Sequence, residues 1–297
     1  MSNLENRSEL LFLYDVKDTN PNGDPMDENK PRIDEKTGIN IVTDVRLKRT
    51  IRDYLHDYKD EEIFVVEELD KEGNQKSKEK RLNELKIDSP EKAMTLFDRY
   101  VDLRLFGATI AVKKGSVTKT GPVQFRFGRS LHKVDTTLIQ GTTVMPSGEG
   151  KKQGTFTEVY VLPYSLIAFY GVVNENAAES TKLQAEDINL LSEGMWNGTK
   201  NLLTRSKVGQ MPRLLLQVEY EGGNYHIGDL DKKIKFNPKV KDELSVRDIS
   251  DVELDFTELK EALKSNKDRI KKIRVRKDDS INLDLSDINI PIEKFDF

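Results

Sequence analysis

The residues of this sequence with the clearest chemistry are cations that stand apart from acids. Residues 103–134 contain no Asp or Glu but seven basic residues, which are Arg104, Lys113, Lys114, Lys119, Arg126, Arg129 and Lys133. Residues 194–218 also lack acids, and they contain Lys200, Arg205, Lys207 and Arg213. A surface without carboxylates is what the phosphate backbone of a nucleic acid requires. The two stretches therefore predict nucleic-acid binding, against the weak contrary indication of a net charge of −4.

A third group of cations lies on a predicted helix over residues 44–58, which Thr43 or Asp44 would cap. Acids occupy the ends of this helix, so its middle is purely basic and contains Arg46, Lys48, Arg49 and Arg52. Its predicted buried stripe is Val45, Leu47, Ile51, Tyr54 and Leu55. The basic face is either an ordinary solvated helix face or a track for phosphates beside the turn that precedes it.

That turn, residues 20–25, has the sequence N-P-N-G-D-P, which is dense in turn-forming residues. With Asp18 in front it looks like a calcium loop, because Asp, Asn and Asn occupy the first, third and fifth positions. However, Asn29 stands where a calcium loop has its bidentate Glu, and Pro21 occupies the fourth position. We therefore predict no metal site here, but a rigid turn whose functional form would present Asn20 and Asn22 to a ligand.

No catalytic constellation stands out in the sequence. The histidines His56, His132 and His226 are far apart and lack metal-ligand spacing, and there is no cysteine. Signatures of a Ser-His-Asp triad, a Walker loop or a dinucleotide-binding glycine motif are missing. We therefore predict a protein that is not an enzyme and that uses no cofactor.

Composition narrows the class of protein further. Of the 297 residues, 36% are apolar and 34% are charged, which predicts one modest core with long polar excursions. There is no run of eighteen apolar residues and no signal-peptide pattern at the N-terminus. These features predict a cytoplasmic protein without a membrane partner.

The elements that would position the cations alternate between strands and helices. Strands are predicted at residues 8–16, 158–173 and 213–220, and a turn followed by a short alternating strand at residues 121–129. The main helices are predicted at residues 44–58 and 185–203. The order β-α-β-β-α-β, with insertions, fits a ferredoxin-like or RNA-recognition-motif core. An unassigned α+β domain is the alternative.

The sequence also predicts two insertions in this core and places two aromatic residues on one of its strands. Residues 67–86 are polar and predict a mobile insertion, and residues 136–156 predict an extended hairpin or mobile loop. Phe125 and Phe127 would face one side of their strand. We predict that both rings lie in the core, although an RNA-recognition motif can instead stack bases on such rings.

Four motifs occur in the order found in a known family. They are L-F-L-Y-D-V followed by N-P-N-G-D-P in residues 11–25, D-V-R-L-K-R-T-I-R-D-Y-L in residues 44–55, D-L-R-L-F-G-A in residues 102–108, and T-G-P-V-Q-F-R-F-G-R-S-L in residues 120–131. Over about three quarters of its length the sequence resembles the Cascade backbone subunit of type I-B CRISPR systems, the Csh type, within the RNA-binding RAMP superfamily.

The resemblance implies one domain over residues 1–297, with a modified RNA-recognition-motif palm. Inserted finger or web segments would lie at about residues 60–118, and an extended thumb at residues 136–156. Copies of such a subunit stack head to tail along CRISPR RNA and hold its spacer for pairing with target DNA. The implied partners are therefore CRISPR RNA, target DNA through the guide, further copies of the chain and other Cascade subunits.

The resemblance also places RNA contacts on particular residues. The first helix and the loop after the second core helix would contact the guide backbone through Arg46, Lys48, Arg49, Arg52, Arg205, Lys207 and Gln210. Arg126 and Arg129 would lie at the base of the thumb. Together with the turn and the basic stretch, the remaining predicted RNA-binding residues are Asn20, Asn22, Lys113, Lys114, Val144, Met145, Lys151 and Lys152.

Three rival functions remain open from the sequence. Guide-processing endoribonucleases of the same fold have a glycine-rich loop near the C-terminus, but no glycine follows Gly228 here. Type III backbone subunits cut target RNA with a loop aspartate, for which Asp24 and Asp27 are the nearest candidates. The third rival is a stand-alone RNA-binding module that acts as a single copy.

Overall fold

The computed structural model describes residues 4–142 and 156–297. Val144, Met145, Lys151 and Lys152, the predicted thumb contacts, lie outside these described residues. The strands are β1 (Ser8–Thr19), β2 (Gly23–Asp24), β3 (Lys30–Pro31), β4 (Ile33–Asp34), β5 (Ile39–Val42), β6 (Gly107–Val112), β7 (Gly115–Thr120), β8 (Val123–Phe125), β9 (Gly128–Lys133), β10 (Thr137–Thr142), β11 (Phe156–Val173), β12 (Met211–Tyr220), β13 (Lys235–Pro238), β14 (Val252–Asp255), β15 (Ile270–Lys277) and β16 (Ile292–Lys294). The helices are α1 (Asp44–Lys59), α2 (Lys78–Glu84), α3 (Pro90–Arg99), α4 (Val101–Phe106), α5 (Glu175–Thr181), α6 (Ala185–Lys200) and α7 (Thr257–Ser265). Across both described ranges, every helix is too short or too polar to cross a membrane.

Most strands join one mixed sheet. Its order is β16-β15-β12-β1-β11-β9-β5-β4, with β8 and β10 also paired to β11. β1 lies in the middle, antiparallel to β11 with Phe12 opposite Phe169, and antiparallel to β12 with Leu11 opposite Leu216. β1 reads as a nearly continuous apolar run because both of its faces are covered. The α+β class predicted from the sequence is confirmed.

One face of the sheet is covered by α1 and α6. Leu10 and Phe12 of β1 belong to the same buried cluster as the apolar stripes of these two helices. The helices approach closely where α6 has Gly194 and Gly198, since a Cβ at Gly198 would lie 3.0 Å from Cβ of Tyr54. This close packing fixes where the start of α1 lies relative to the sheet.

The opposite face is covered by the C-terminal part of the chain. Leu11 and Leu13 of β1 share a buried cluster with Leu259 of α7 and with Ile288. The fully buried carboxylate of Glu9 ties this layer to the sheet. It accepts hydrogen bonds from the hydroxyls of Tyr170 and Tyr220 and from the N–H groups of Ile227 and Gly228. The part of this face that β1 and β12 form is therefore covered by protein, and bases cannot stack on it.

Residues between α1 and β8 form a smaller body with its own core. Phe64, Leu82, Phe97 and Ile110 are buried together, beneath α2, α3 and the β6–β7 hairpin. The prediction of a mobile insertion at residues 67–86 is wrong for α2, which lies in this segment and has Ser77 as its N-cap. A hydroxyl at an N-cap satisfies an N–H group that the first helical turn leaves free.

Two predictions of burial are also wrong. Val45 is 67% exposed because it lies about 200° around α1 from Leu47, on the side away from the buried stripe. Phe125 is buried against Phe169, but Phe127 is 52% exposed. The strand predicted over residues 121–129 is interrupted between β8 and β9, so the two rings do not share one face.

Candidate nucleic-acid interface

The turn after β1 is fastened to the start of α1. Asn22 Oδ1 accepts hydrogen bonds at 2.9 Å from both the N–H and the hydroxyl of Thr43, which is the N-cap of α1. The Thr43 hydroxyl in turn accepts from Arg46 N. Asn22 therefore supports the helix cap, and it fixes the turn beside the first cations of α1.

The segment that precedes β12 runs alongside the end of β1. Asp15 pairs with Met211 in the ladder between these strands, and Asn20 N donates to Ser206 O at 2.8 Å. Residues 206–210 are therefore placed next to the exit of β1. Sequence analysis named cations in this segment and on α1, and the register of β1 with β12 is what brings the two groups to one corner of the fold.

Several buried polar atoms near this corner have no partner within residues 4–142 and 156–297. Asn20, Gln210 and Thr19 are 2%, 4% and 5% exposed, and Asn20 Oδ1, Gln210 Nε2 and Thr19 Oγ1 make no hydrogen bond to any described residue. Arg46 Nε is buried and likewise has no partner among the described residues, while its Nη2 donates to Thr50 Oγ1 at 2.9 Å. Buried polar groups in folded proteins are nearly always satisfied, so these four atoms need an explanation. We call Thr19, Asn20, Arg46, Lys207 and Gln210 the strand-exit site.

Electrostatics at the strand-exit site favour an anion. Burial lowers the pKa of the Arg46 guanidinium below its ordinary value. Burial, and then the proximity of Arg46, lowers the pKa of the Lys207 ammonium. Two cations that are partly desolvated and close to one another repel. A phosphate group beside them would offset both the repulsion and the lost hydration.

A groove of about 570 Å³ leads from the same turn along β5 towards the base of β10. Its lining includes Thr43 and Ile41, and also Phe127, Arg129 and Thr136. The other charged residues that line it are the cations Lys30 and Arg32 and the acids Asp24, Asp27 and Glu35. The Arg129 side chain is 55% exposed and lies 3.9 Å from Asp34. The groove therefore places one predicted cation, Arg129, within reach of a chain that passes the strand-exit site.

Comparisons with known proteins decide the family. The family model described as CRISPR-associated protein Cas7 matches residues 6–257. CRISPR-associated protein Cas7 of Haloferax volcanii is 36% identical, over 98% of this chain and 92% of the relative. The chain belongs to the Cas7 family. The family predicted from the sequence motifs is thereby confirmed, whereas its I-B subtype stays a prediction.

Two solved structures resemble this Cas7-family chain in fold. A chain of a CRISPR RNA-guided surveillance complex in a pre-nicking state is 12% identical with a TM-score of 0.59, covering 97% of this chain and 96% of that one. A chain of another CRISPR RNA-guided surveillance complex is 13% identical with a TM-score of 0.58, covering 98% and 95%. At such low identity the likeness concerns the fold alone.

The other predicted cations of α1 lie in ion pairs rather than at the strand-exit site. Lys48 pairs with Asp44 at 3.0 Å, and Arg49 with Asp53 at 2.6 Å. Arg52 pairs at 3.0 Å with the fully buried Asp102. These pairs hold the helix and fasten it to its neighbours, so the basic middle of α1 is not one open track.

The remaining predicted residues are spread over the surface. Arg126 pairs with Asp229 at 2.6 Å and Asp231 at 2.7 Å, and its guanidinium lies 4.2 Å from the ring centre of Tyr170. Lys113 and Lys114 are exposed in the turn between β6 and β7, and Arg205 is exposed in the loop after α6. Of these four cations, only Arg205 belongs to the loop that also contains Lys207.

Sequence reasoning missed Arg32, Lys30 and Thr19 in this Cas7-family chain. Arg32 Nε is buried without a partner among the described residues, and Arg32 and Lys30 line the groove. Arg32 lies next to the strand-exit turn because its N–H donates to Asn22 O at 3.3 Å and its Nη1 donates to Asp24 Oδ2 at 2.7 Å. No sequence motif indicates these contacts.

The two aspartates that a type III subunit would use for cleavage lie in ion pairs with neighbouring cations. Asp24 Oδ2 accepts from Arg32 at 2.7 Å, and Asp27 accepts from Lys30 at 2.7 Å. Burial lowers the pKa of His132, whose Nε2 accepts from Leu166 N at 3.3 Å. Within residues 4–142 and 156–297, no group of three His, Asp or Glu side chains could hold a metal ion.

Proposed function

We propose that this Cas7-family chain is the repeating backbone subunit of a type I CRISPR interference complex, of the I-B type. It binds the spacer of CRISPR RNA along the phosphate backbone and presents it for pairing with target DNA. The observation that carries the proposal is the strand-exit site, which combines two partly desolvated cations with buried polar atoms that have no partner among the described residues. Membership of the Cas7 family and a fold like that of chains from RNA-guided surveillance complexes support it.

The proposed palm consists of β1, α1, β8 with β9, β11, α6 and β12. Taken as four core strands, these have the spatial order β12-β1-β11-β9, which is the order 4-1-3-2 of a ferredoxin-like or RNA-recognition-motif sheet. Residues 60–118 are the finger or web, and residues 136–156 are the thumb. β10 and the start of β11 pair from Thr137 opposite Val161 to Thr142 opposite Phe156, which supports an extended hairpin at the thumb base.

The RNA would follow the strand-exit site and the groove. Asn20, Arg46, Lys207 and Gln210 meet it first, and Arg129 lies further along with the newly found Arg32 and Lys30. Asn22, Lys48, Arg49 and Arg52 contribute by holding the turn and α1 in place. Lys113, Lys114, Arg126 and Arg205, with Val144, Met145, Lys151 and Lys152 of the thumb, remain proposed contacts at other points of the assembly.

We further propose that the chain does not cleave RNA. Asp24 and Asp27, the nearest candidates for a type III aspartate, are held by Arg32 and Lys30. A guide-holding subunit must accept any spacer, so its affinity comes from phosphates and shape rather than from base identity. Its partners are CRISPR RNA, target DNA through the guide, further copies of the chain and other Cascade subunits.

Co-expression with CRISPR RNA tests this function. We expect the purified chain to form regular helical arrays on the RNA in electron micrographs, with equal affinity for scrambled spacers and a steep loss of affinity with salt. Target RNA should stay intact with and without divalent metal. Single particles without arrays would favour the stand-alone module, and metal-dependent cleavage abolished by Asp24→Ala or Asp27→Ala would favour the type III kind.

A further inference from the structure

We propose that the strand-exit site recognises a ribose 2′-hydroxyl group, and that Asn20 Oδ1 is the acceptor by which the chain distinguishes RNA from DNA. The inference rests on the proposed function and adds to it the chemical group of the guide that this site reads. It makes Asn20 a residue that determines specificity, beside cations that supply affinity.

The orientation of the Asn20 amide is fixed by its neighbour. Asn20 Nδ2 donates to the backbone carbonyl of Asn29 at 2.6 Å. A carbonyl oxygen accepts and cannot donate, so the nitrogen of the amide must lie on that side and Oδ1 must point the other way. Asn20 is 2% exposed, and Oδ1 has no donor within the described residues. The site therefore presents a buried acceptor that lacks its donor.

The sugar–phosphate backbone of RNA contains one kind of group that can satisfy this acceptor. Phosphate oxygens and the ribose ring oxygen only accept hydrogen bonds, whereas the 2′-hydroxyl both donates and accepts. The backbone of DNA has no such donor. Base N–H groups would also serve, but reading them would make binding depend on the spacer sequence, which a guide-holding subunit must avoid.

Two N–H groups of the strand-exit site are free to donate. Arg46 Nε and Gln210 Nε2 are buried and have no partner within the described residues, and Gln210 is 4% exposed. Residues 206–210 run beside the end of β1, because Asn20 N donates to Ser206 O. A 2′-hydroxyl can donate to Asn20 Oδ1 and accept from one of these N–H groups, while Lys207 meets the adjoining phosphate.

Binding of three short oligonucleotides of one sequence tests the inference. They are RNA, DNA and 2′-fluoro RNA, each long enough for one copy of the chain; 2′-fluoro RNA keeps the ribose pucker but cannot donate a hydrogen bond. The full chain should bind RNA about three- to tenfold more tightly than 2′-fluoro RNA, the value of one hydrogen bond. Asn20→Ala should lower the affinity for RNA by that factor and leave the affinity for 2′-fluoro RNA unchanged.

The matched control is Asn237→Ala, at an exposed asparagine of β13 on the C-terminal layer, which should keep the wild-type ratio. Because Asn20→Ala also removes the hydrogen bond to Asn29, its thermal unfolding must be compared with that of the wild type. If it does not fold, Gln210→Leu replaces it, and this variant should likewise reduce the preference for RNA over 2′-fluoro RNA.

The outcomes separate this inference from the proposed function. Equal, salt-dependent binding of all three oligonucleotides by the wild type overturns 2′-hydroxyl recognition and leaves the guide-holding function standing. A wild-type preference for RNA that persists in the folded variant places the discrimination elsewhere and also overturns the role of Asn20. Failure of the wild type to bind any of the three at low salt overturns the proposed function itself.

Discussion

The strand-exit site and the junction between α1 and the smaller body that follows it both bury arginines of the same helix, yet they differ in what lies opposite. At the junction, Arg52 meets Asp102, which also accepts from the N–H groups of Phe64 and Val65 at 2.8 and 3.0 Å. At the strand-exit site, Arg46 lies near Lys207, and its Nε has no partner among the described residues. A cation paired with a buried acid helps to hold the fold together, whereas Arg46 and Lys207 are the cations that we propose for the phosphates of RNA.

The largest effect should come from breaking the junction. Asp102→Ala leaves Arg52 and two N–H groups without their acceptor, so we expect the free energy of unfolding to fall by about 3–5 kcal/mol. Denaturant unfolding measures this change. Asp53→Ala, which breaks the more exposed pair with Arg49, is the control and should cost less than about 1 kcal/mol. Similar losses in both variants would contradict a structural role specific to the junction.

The strand-exit site should respond in the opposite way. Arg46→Ala combined with Lys207→Ala removes two cations without internal acids, so stability should change little while RNA affinity falls about thirtyfold. The slope of log affinity against log salt should decrease in magnitude by about 1.4, the value for two contacts to single-stranded phosphate. Fluorescence titration at several salt concentrations measures both quantities.

The control for that pair is Lys239→Ala with Lys241→Ala, two exposed lysines on the C-terminal layer. This double variant has the same change in net charge, so an equal loss of affinity would mean that the strand-exit site acts only through overall charge.

The smallest effect is expected at His132, a buried imidazole whose hydrogen-bond partners are neutral. His132 Nδ1 lies 2.9 Å from Lys133 O and Nε2 accepts from Leu166 N, and burial lowers its pKa below the ordinary value of 6.5. The stability that depends on neutral His132 is therefore complete above about pH 6.5 and is lost as pH falls below it. Thermal unfolding between pH 8 and pH 5 should show a decline in melting temperature that is smaller in His132→Gln. If the melting temperature of His132→Gln falls as much as that of the wild type, other titrating groups cause the decline.

Much of the fold follows from local sequence signals. The cap at Thr43, the stripe of α1 apart from Val45 and the long strand β11 depend on residue type and periodicity within a few turns, so the sequence predicts them well. The sequence predicts the candidate site less well. A stretch of sequence without acids can still lie beside acids that come from distant parts of the chain. Arg126 lies in such a stretch, but Asp229 and Asp231 reach it from about a hundred residues away.

The strand-exit site also has a property that the sequence does not predict, which is the lack of hydrogen-bond partners at certain buried atoms. Its cations were predicted from composition and from the family motifs, but nothing local indicated that Asn20 Oδ1 or Arg32 Nε would lack a partner. Satisfaction of a polar atom depends on every residue packed around it, and those neighbours come from several distant segments. Charge patterning can therefore find candidate cations, while only the packed structure sorts the free ones from the paired ones.

The central place of β1 in the sheet has a consequence for how the chain folds during synthesis. β1 is made early, but its neighbours β11 and β12 follow it by well over a hundred residues. Contacts so distant in sequence form slowly, and an apolar strand awaiting its partners invites aggregation. We therefore expect folding to begin in the smaller body between α1 and β8, whose contacts are close in sequence. We also expect the nascent chain to need protection by chaperones until β12 has left the ribosome.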